Sequence, residues 1–173
     1  MKKFFSSFFF LFCVNFIFCQ EAVNLFDIAR KGTVEQAQEF IKTNPNSLNS
    51  VNENGFTALV LACYKANNSV AKWLIEKGCD VNVKTNMGSA LMACVVKGNN
   101  EIGMLLIDKK ADLNIVDNQG TTALMYAVQF KNMEMIKLLL ANNADKNLID
   151  NKGKTAFEYA TFSENDEIIN LLK

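Results

Sequence analysis

Asn54-Gly55-Phe56-Thr57-Ala58-Leu59 returns as Gln119-Gly120-Thr121-Thr122-Ala123-Leu124 and again as Lys152-Gly153-Lys154-Thr155-Ala156-Phe157. A fourth copy, Met87-Gly88-Ser89-Ala90-Leu91, lacks one residue after its glycine. A second pattern alternates with the first: Gly78-Cys79-Asp80-Val81-Asn82, Lys110-Ala111-Asp112-Leu113-Asn114 and Asn143-Ala144-Asp145-Lys146-Asn147. The period is 33 residues. Self-similarity at that spacing marks a solenoid, in which each unit buries its apolar face only by stacking on a neighbour.

Each unit has a physical reading. Gly55, Gly88, Gly120 and Gly153 mark a tight turn of positive φ. The Thr or Ser that follows (Thr57, Ser89, Thr122, Thr155) is a good helix N-cap. In the second unit this predicts a short helix from Ala58 to about Lys65, with small Ala62 and Cys63 where helices approach. Asn67 and Asn68 break it. A second helix is expected from about Ser69 to Lys77, burying Val70, Trp73, Leu74 and Ile75. Gly78 then stands where a left-handed C-terminal residue is wanted. Later units repeat this with Ile102, Leu105, Leu106 and with Ile136, Leu138, Leu139, Leu140.

The Gly-x-Thr-x-Leu opening, the Leu-Leu pair and the Gly-Ala-Asp-x-Asn ending resemble the ankyrin repeat, from about Ala22 to Lys173. The resemblance implies an all-α solenoid of about five stacked helix–loop–helix units, with β-hairpin fingers along one edge. The units run at about 22–51, 52–84, 85–116, 117–149 and 150–173. The first has a polar flank (Asp27, Arg30, Lys31) and the last an acidic surface (Glu158, Glu164, Asp166, Glu167), as end caps should. Pro45, the only proline, stands in the loop after the first unit. The family's usual Thr-Pro-Leu-His opening is altered here. Ala replaces Pro, and Val60, Met92, Met125 and Glu158 replace the His that ties neighbouring fingers, which predicts a less rigid array. The residue missing after Gly88 predicts a shortened finger and a local notch.

Ahead of the repeats, Met1-Lys2-Lys3 precedes an uncharged run, Phe4 to Phe18, with eight Phe. It is shorter than the ~20 residues of a spanning helix. The order reads as a secretory signal peptide, residues 1–19, cleaved after Cys19 to leave a repeat domain of 20–173. A rival reading makes Cys19 a lipidated first residue of an envelope lipoprotein, although bulky Phe18 fits that poorly. Either way the chain is expected to be exported, to the periplasm or beyond. The Phe-, Lys- and Asn-rich composition suggests a bacterium. Loss of Lys2 and Lys3 leaves a mildly acidic mature chain.

Little chemistry is available. The 18 basic and 18 acidic residues balance, with no basic stripe for nucleic acid. There is no histidine, which excludes Ser-His-Asp and Cys-His machinery and His-ligated metals. No phosphate-binding loop occurs. The Asp/Asn pairs (Asp80, Asn82, Asp112, Asn114, Asp145, Asn147) are too dispersed for a calcium loop and are expected to cap turns. Asp166-Glu167, Asp145 and Asp150 are acid–base candidates by composition only, with solvated surface the simpler account. No catalytic, metal or cofactor site and no small-molecule substrate is expected. Cys63, Cys79 and Cys94 read as small buried hydrophobes. Cys63 and Cys94, in adjacent units, are expected about 10 Å apart, beyond disulfide reach. A cysteine redox sensor remains an alternative.

The resemblance implies binding of a protein partner through finger tips and first helices. Carried over by position, the finger candidates are Glu53, Asn54, Phe56, Asn86, Met87, Asn118, Gln119, Thr121, Asn151, Lys152 and Lys154. The helix candidates are Tyr64, Lys65, Val96, Lys97, Gln129, Phe130, Phe162 and Ser163. Tyr64, Val96, Phe130 and Phe162 lie in or beside matching positions and would form an apolar stripe, the kind of surface interfaces use as anchors. The favoured function is a non-catalytic interaction scaffold. The alternative is an inhibitor or immunity-type protein masking an exported enzyme or toxin. Nucleic acid is not an expected partner, and a membrane is one only if Cys19 is lipidated or the leader retained.

Overall fold

A computed structural model describes residues 24–173; the expected leader, residues 1–19, lies outside the described residues. Among the described residues ten α-helices follow in pairs: α1 Leu25–Lys31 and α2 Val34–Thr43, α3 Ala58–Tyr64 and α4 Asn68–Glu76, α5 Ala90–Lys97 and α6 Asn100–Asp108, α7 Ala123–Gln129 and α8 Met133–Ala141, α9 Ala156–Ser163 and α10 Asp166–Leu172. A 3-10 turn, Pro45–Ser47, follows α2. The first helices of the pairs pack in one row and the second helices in another, and each helix also packs on its pair mate. This is the all-α solenoid expected from the repeat. No helix among the described residues is long and apolar enough to cross a membrane.

The caps fall where the sequence places them. The hydroxyls of Thr57, Ser89, Thr122 and Thr155 accept from the backbone N–H of Val60, Met92, Met125 and Glu158. Behind these caps the first helices bury Ala62, Cys94, Ala127 and Ala160 completely. Small side chains there let the rows approach, while Leu59, Leu91 and Leu124 fill the space between units. The second helices add Leu74, Leu106 and Leu139. Removing such a buried Leu costs about 2–5 kcal/mol.

The fingers differ from the expected hairpins. No strand forms among the described residues; isolated antiparallel bridges occur at Val51–Thr57 and Thr85–Gly88. The reason is length. In the fourth finger, 117–121, Asp117 N–H donates to the Thr121 carbonyl and Gly120 N–H to the Asp117 carbonyl, at 3.1 Å each. One residue per arm leaves no room for a ladder. The second (52–56) and fifth (150–154) fingers close in the same way, but the third, 85–88, has one residue fewer.

In place of the histidine, other groups make the hydrogen bonds of the fingers. The first residue of each finger gathers the turn. Asp117 Oδ1 accepts from the N–H of Gln119 and Thr121, and Asp150 Oδ1 from those of Lys152 and Lys154, at 2.8–3.0 Å. Asn52 does the same for Asn54 and Phe56, and Thr85 accepts from Met87. The other carboxylate oxygen accepts from a tyrosine: Tyr126 Oη to Asp117 at 2.7 Å and Tyr159 Oη to Asp150 at 2.5 Å. Each such bond clips a finger to its own first helix.

The Asp/Asn pairs also do more than close local turns. Asp80, Asp112 and Asp145 accept from the N–H two residues on, as expected. The asparagines reach across units: Asn49, Asn82 and Asn114 Oδ1 accept from Asp80, Asp112 and Asp145 N–H at 2.7–2.9 Å. This ladder locks the spacing of successive units.

Just before it the chain must take a left-handed step. Gly78, Lys110 and Asn143 occupy that position at φ +81°, +63° and +63°. A left-handed conformation costs an L-residue about 1–2 kcal/mol, partly offset by glycine's greater freedom when unfolded. Lys110 is exposed, so little else opposes its replacement. Lys110→Gly should stabilise the protein by about 0.5–1 kcal/mol, raising Tm by about 1–3 °C in a thermal melt. Lys110→Ala should leave Tm within about 1 °C.

Candidate protein-interaction site

The fingers and the first helices meet over a cavity of about 420 Å³. Its floor is apolar: Val60, Leu61, Met92 and Ala93 from α3 and α5. Nine of the sequence-derived candidates line it. Phe56, Asn86, Met87, Asn118 and Gln119 come from the second to fourth fingers; Tyr64, Lys65, Val96 and Phe130 come from the ends of α3, α5 and α7. Phe130 is 55 % exposed and Met87 50 %. The Phe130 ring stacks on Tyr126 at 6.3 Å between centroids.

Other candidates lie around this centre. Glu53, Asn54, Gln129 and Lys152 are exposed outside the cavity lining. Lys97 holds its ammonium over the Tyr64 ring, 4.1 Å from the centroid. Phe162 is 69 % exposed but belongs to the next unit along, outside the cavity, with Lys154 Nζ 4.3 Å from its ring centroid. The expected stripe is therefore a cluster of three with one outlier. Ser163 is half-buried and donates to the Ala160 carbonyl. Asn151 serves the array: its N–H and side-chain amide donate to the Gln119 and Asn118 carbonyls, joining the fifth finger to the fourth.

Thr121 is a correction. It is only 3 % exposed, because it closes the fourth finger and its N–H is held by Asp117. Its side chain offers no surface to a partner. Asp117 and Tyr126, in contrast, line the cavity and were missed. The available signal was the recurring nine-residue spacing of Asp117–Tyr126 and Asp150–Tyr159.

The tyrosine–aspartate bonds shift the groups that make them. Burial, then the hydrogen bond to Asp117, pushes the Tyr126 hydroxyl up to about 12. The bond to Asp150, then burial, does the same for Tyr159. Both phenols stay protonated donors at neutral pH. Burial acts to raise the pKa of Asp150, but the bonds from Tyr159 and from the Lys154 and Lys152 backbone outweigh it and hold the carboxyl below its usual range. Among the described residues no group of His, Cys, Asp or Glu is arranged to hold a metal.

The cysteines are buried, as the sequence suggests: Cys63 and Cys94 are free and wholly buried. The two are not equivalent positions. Cys63 stands six residues after its cap Thr57, and Cys94 five after Ser89. The neighbouring Cys94 side chain, then burial, raises the Cys63 pKa well above the ordinary thiol value. Burial, with the Cys63 and Asp80 charges, pushes Cys79 up to about 12.

A family profile described as ankyrin repeats (3 copies) matches residues 25–117 and 91–173. The chain belongs to the ankyrin-repeat family, whose repeats generally mediate protein–protein interaction and are typically non-catalytic scaffolds. Similar curated proteins include the NAD-capped RNA hydrolase NUDT12 of Homo sapiens, Pongo abelii and Macaca fascicularis. Each is 34% identical over 65 residues, which is 37% of this chain and 14% of the relative. The likeness thus spans about one-seventh of those proteins, within the ankyrin part and not a catalytic domain.

Two measurements check this electrostatic picture. A depressed carboxyl stabilises the fold above its unfolded pKa of about 3.9, and that contribution disappears as pH falls through the lower folded value. The Tm gap between wild type and Asp150→Asn should hold constant above about pH 5 and narrow below about pH 4; a gap unchanged by acid contradicts the assignment. Iodoacetamide at about pH 8 should leave Cys63, Cys79 and Cys94 unmodified by mass spectrometry until denaturant is added.

Proposed function

We propose that this protein is an exported, non-catalytic scaffold that binds a partner protein through the surface between its second to fourth fingers and its first helices. The observation that carries this is the apolar cavity itself, with Phe130 and Met87 half-exposed at its margin. Exposed aromatics around a preformed apolar recess are the usual anchors of protein interfaces. The polar tips Glu53, Asn54, Asn86, Asn118 and Gln119 would supply selectivity around that centre. Export is supported by the basic start and Phe-rich run at the amino end of the chain. The absence of histidine supports a non-catalytic reading.

Affinity capture from the native envelope fraction, followed by mass spectrometry, identifies the partner. Tyr64→Asp and Phe130→Asp should then each weaken binding of that purified partner by about tenfold or more, the loss expected at an anchor residue. Phe130 is exposed, so Phe130→Asp should leave Tm nearly unchanged. Undiminished binding by both variants would assign the partner to another face.

A further inference from the structure

The cavity lies where the array departs from its own period. The second, fourth and fifth fingers carry a residue between their glycine and the helix cap: Phe56, Thr121 and Lys154. In the third finger Gly88 is followed directly by the cap Ser89. The cavity takes lining from Phe56 on one side of that gap and from Gln119 on the other, over Met92 and Ala93 of the shortened unit. Finger-to-finger bonding stops there as well. Among the described residues the fifth finger donates to the fourth, and the third makes no such bond to either neighbour. The recess thus coincides with the finger that is one residue short.

The charged residues of the lining are Lys65 and Asp117, with Lys97 beside them. The ion pairs among the described residues join Arg30 to Asp27, Lys42 to Glu39, Lys72 to Glu101 and Lys137 to Glu167, all on the first unit or the second helices. Lys65 and Lys97 have no such partner and hold their ammonium groups 5.8 and 4.1 Å from the Tyr64 ring centroid. The carboxylate in the lining, Asp117, is 7 % exposed and already accepts from Tyr126 and two backbone N–H groups. A ligand therefore meets an apolar recess flanked by uncompensated ammonium groups.

We infer that the recess beside the shortened third finger receives a bulky apolar side chain from an acidic peptide segment of the partner, whose carboxylates pair with Lys65 and Lys97. This rests on the groove reading above and adds the chemistry of its occupant. A volume of about 420 Å³ accommodates an aromatic side chain together with part of its backbone. The balanced net charge and the apolar floor of the recess disfavour nucleic acid, which would require a continuous basic track.

The test is selection from a phage-displayed random peptide library on the full chain, followed by titration of the enriched peptides. Enrichment of Trp, Phe or Leu beside Asp and Glu is expected. Replacing that apolar residue with Ala should weaken binding by about tenfold or more. Lys65→Gln/Lys97→Gln should weaken it severalfold and flatten its salt dependence. Inserting Thr between Gly88 and Ser89 restores the period and should abolish binding while the helical melt is retained. Val96→Trp, which fills the recess without altering the backbone, should do the same. Peptides without acidic residues, no enrichment at all, or full affinity in both filled variants would overturn the inference. So would binding of oligo(dT) that competes with the selected peptides. If Phe130→Asp abolishes partner binding while the filled variants retain it, the groove reading stands and this one fails.

Discussion

Each unit of this protein presents an apolar face that only the next unit can cover, and the rest of the structure follows from that requirement. The first helices meet through Ala62, Cys94, Ala127 and Ala160, side chains small enough to let the backbones approach. Leucines from both helices fill the space between. Burial alone sets no register. The asparagine ladder does, since Asn49, Asn82 and Asn114 each accept a backbone N–H from the unit after. Apolar burial supplies the attraction between units and directional hydrogen bonds their spacing.

Uniform stacking has a consequence for the edge of the array. Fingers anchored at a common spacing lie side by side, so a residue missing from one of them cannot be absorbed by its neighbours. The third finger closes on four residues, and the recess lies beside it over α3 and α5. The site is thus a local exception in an otherwise regular solenoid. Its walls are firm because the adjacent fingers are held by their first residues, Asn52 and Asp117, and the fourth also by Tyr126 and by the fifth finger.

The division of charge has the same origin. Asp80, Asp112 and Asp145 hold turns, and Asp117 and Asp150 hold fingers. Glu158 folds back on its own cap, Thr155, which keeps its carboxyl below the usual range. Glu101 bonds Asn68 and Lys72 on the second helices, and Glu134 bonds Asn100. Asp117, the carboxylate in the groove lining, is used for construction, while Lys65 and Lys97 lie beside the Tyr64 ring.

Much of this was legible in residue order. The repeat, the caps and the buried small positions follow from a period that forces equivalent residues into equivalent environments. The notch was legible too, because a deletion against a regular register is visible in the chain. The role of Asp117 and Tyr126 was not, since a side-chain bond between a finger and a helix depends on how the unit folds back on itself. Thr121 was assigned to the surface by analogy of position, whereas the finger turns it inward. The hairpins failed to form strands because arms of one residue cannot extend a ladder. Periodicity reports which residues share an environment; the side chains that face each other across units, and the cavity they leave, are set only when the units stack and their directions in space become definite.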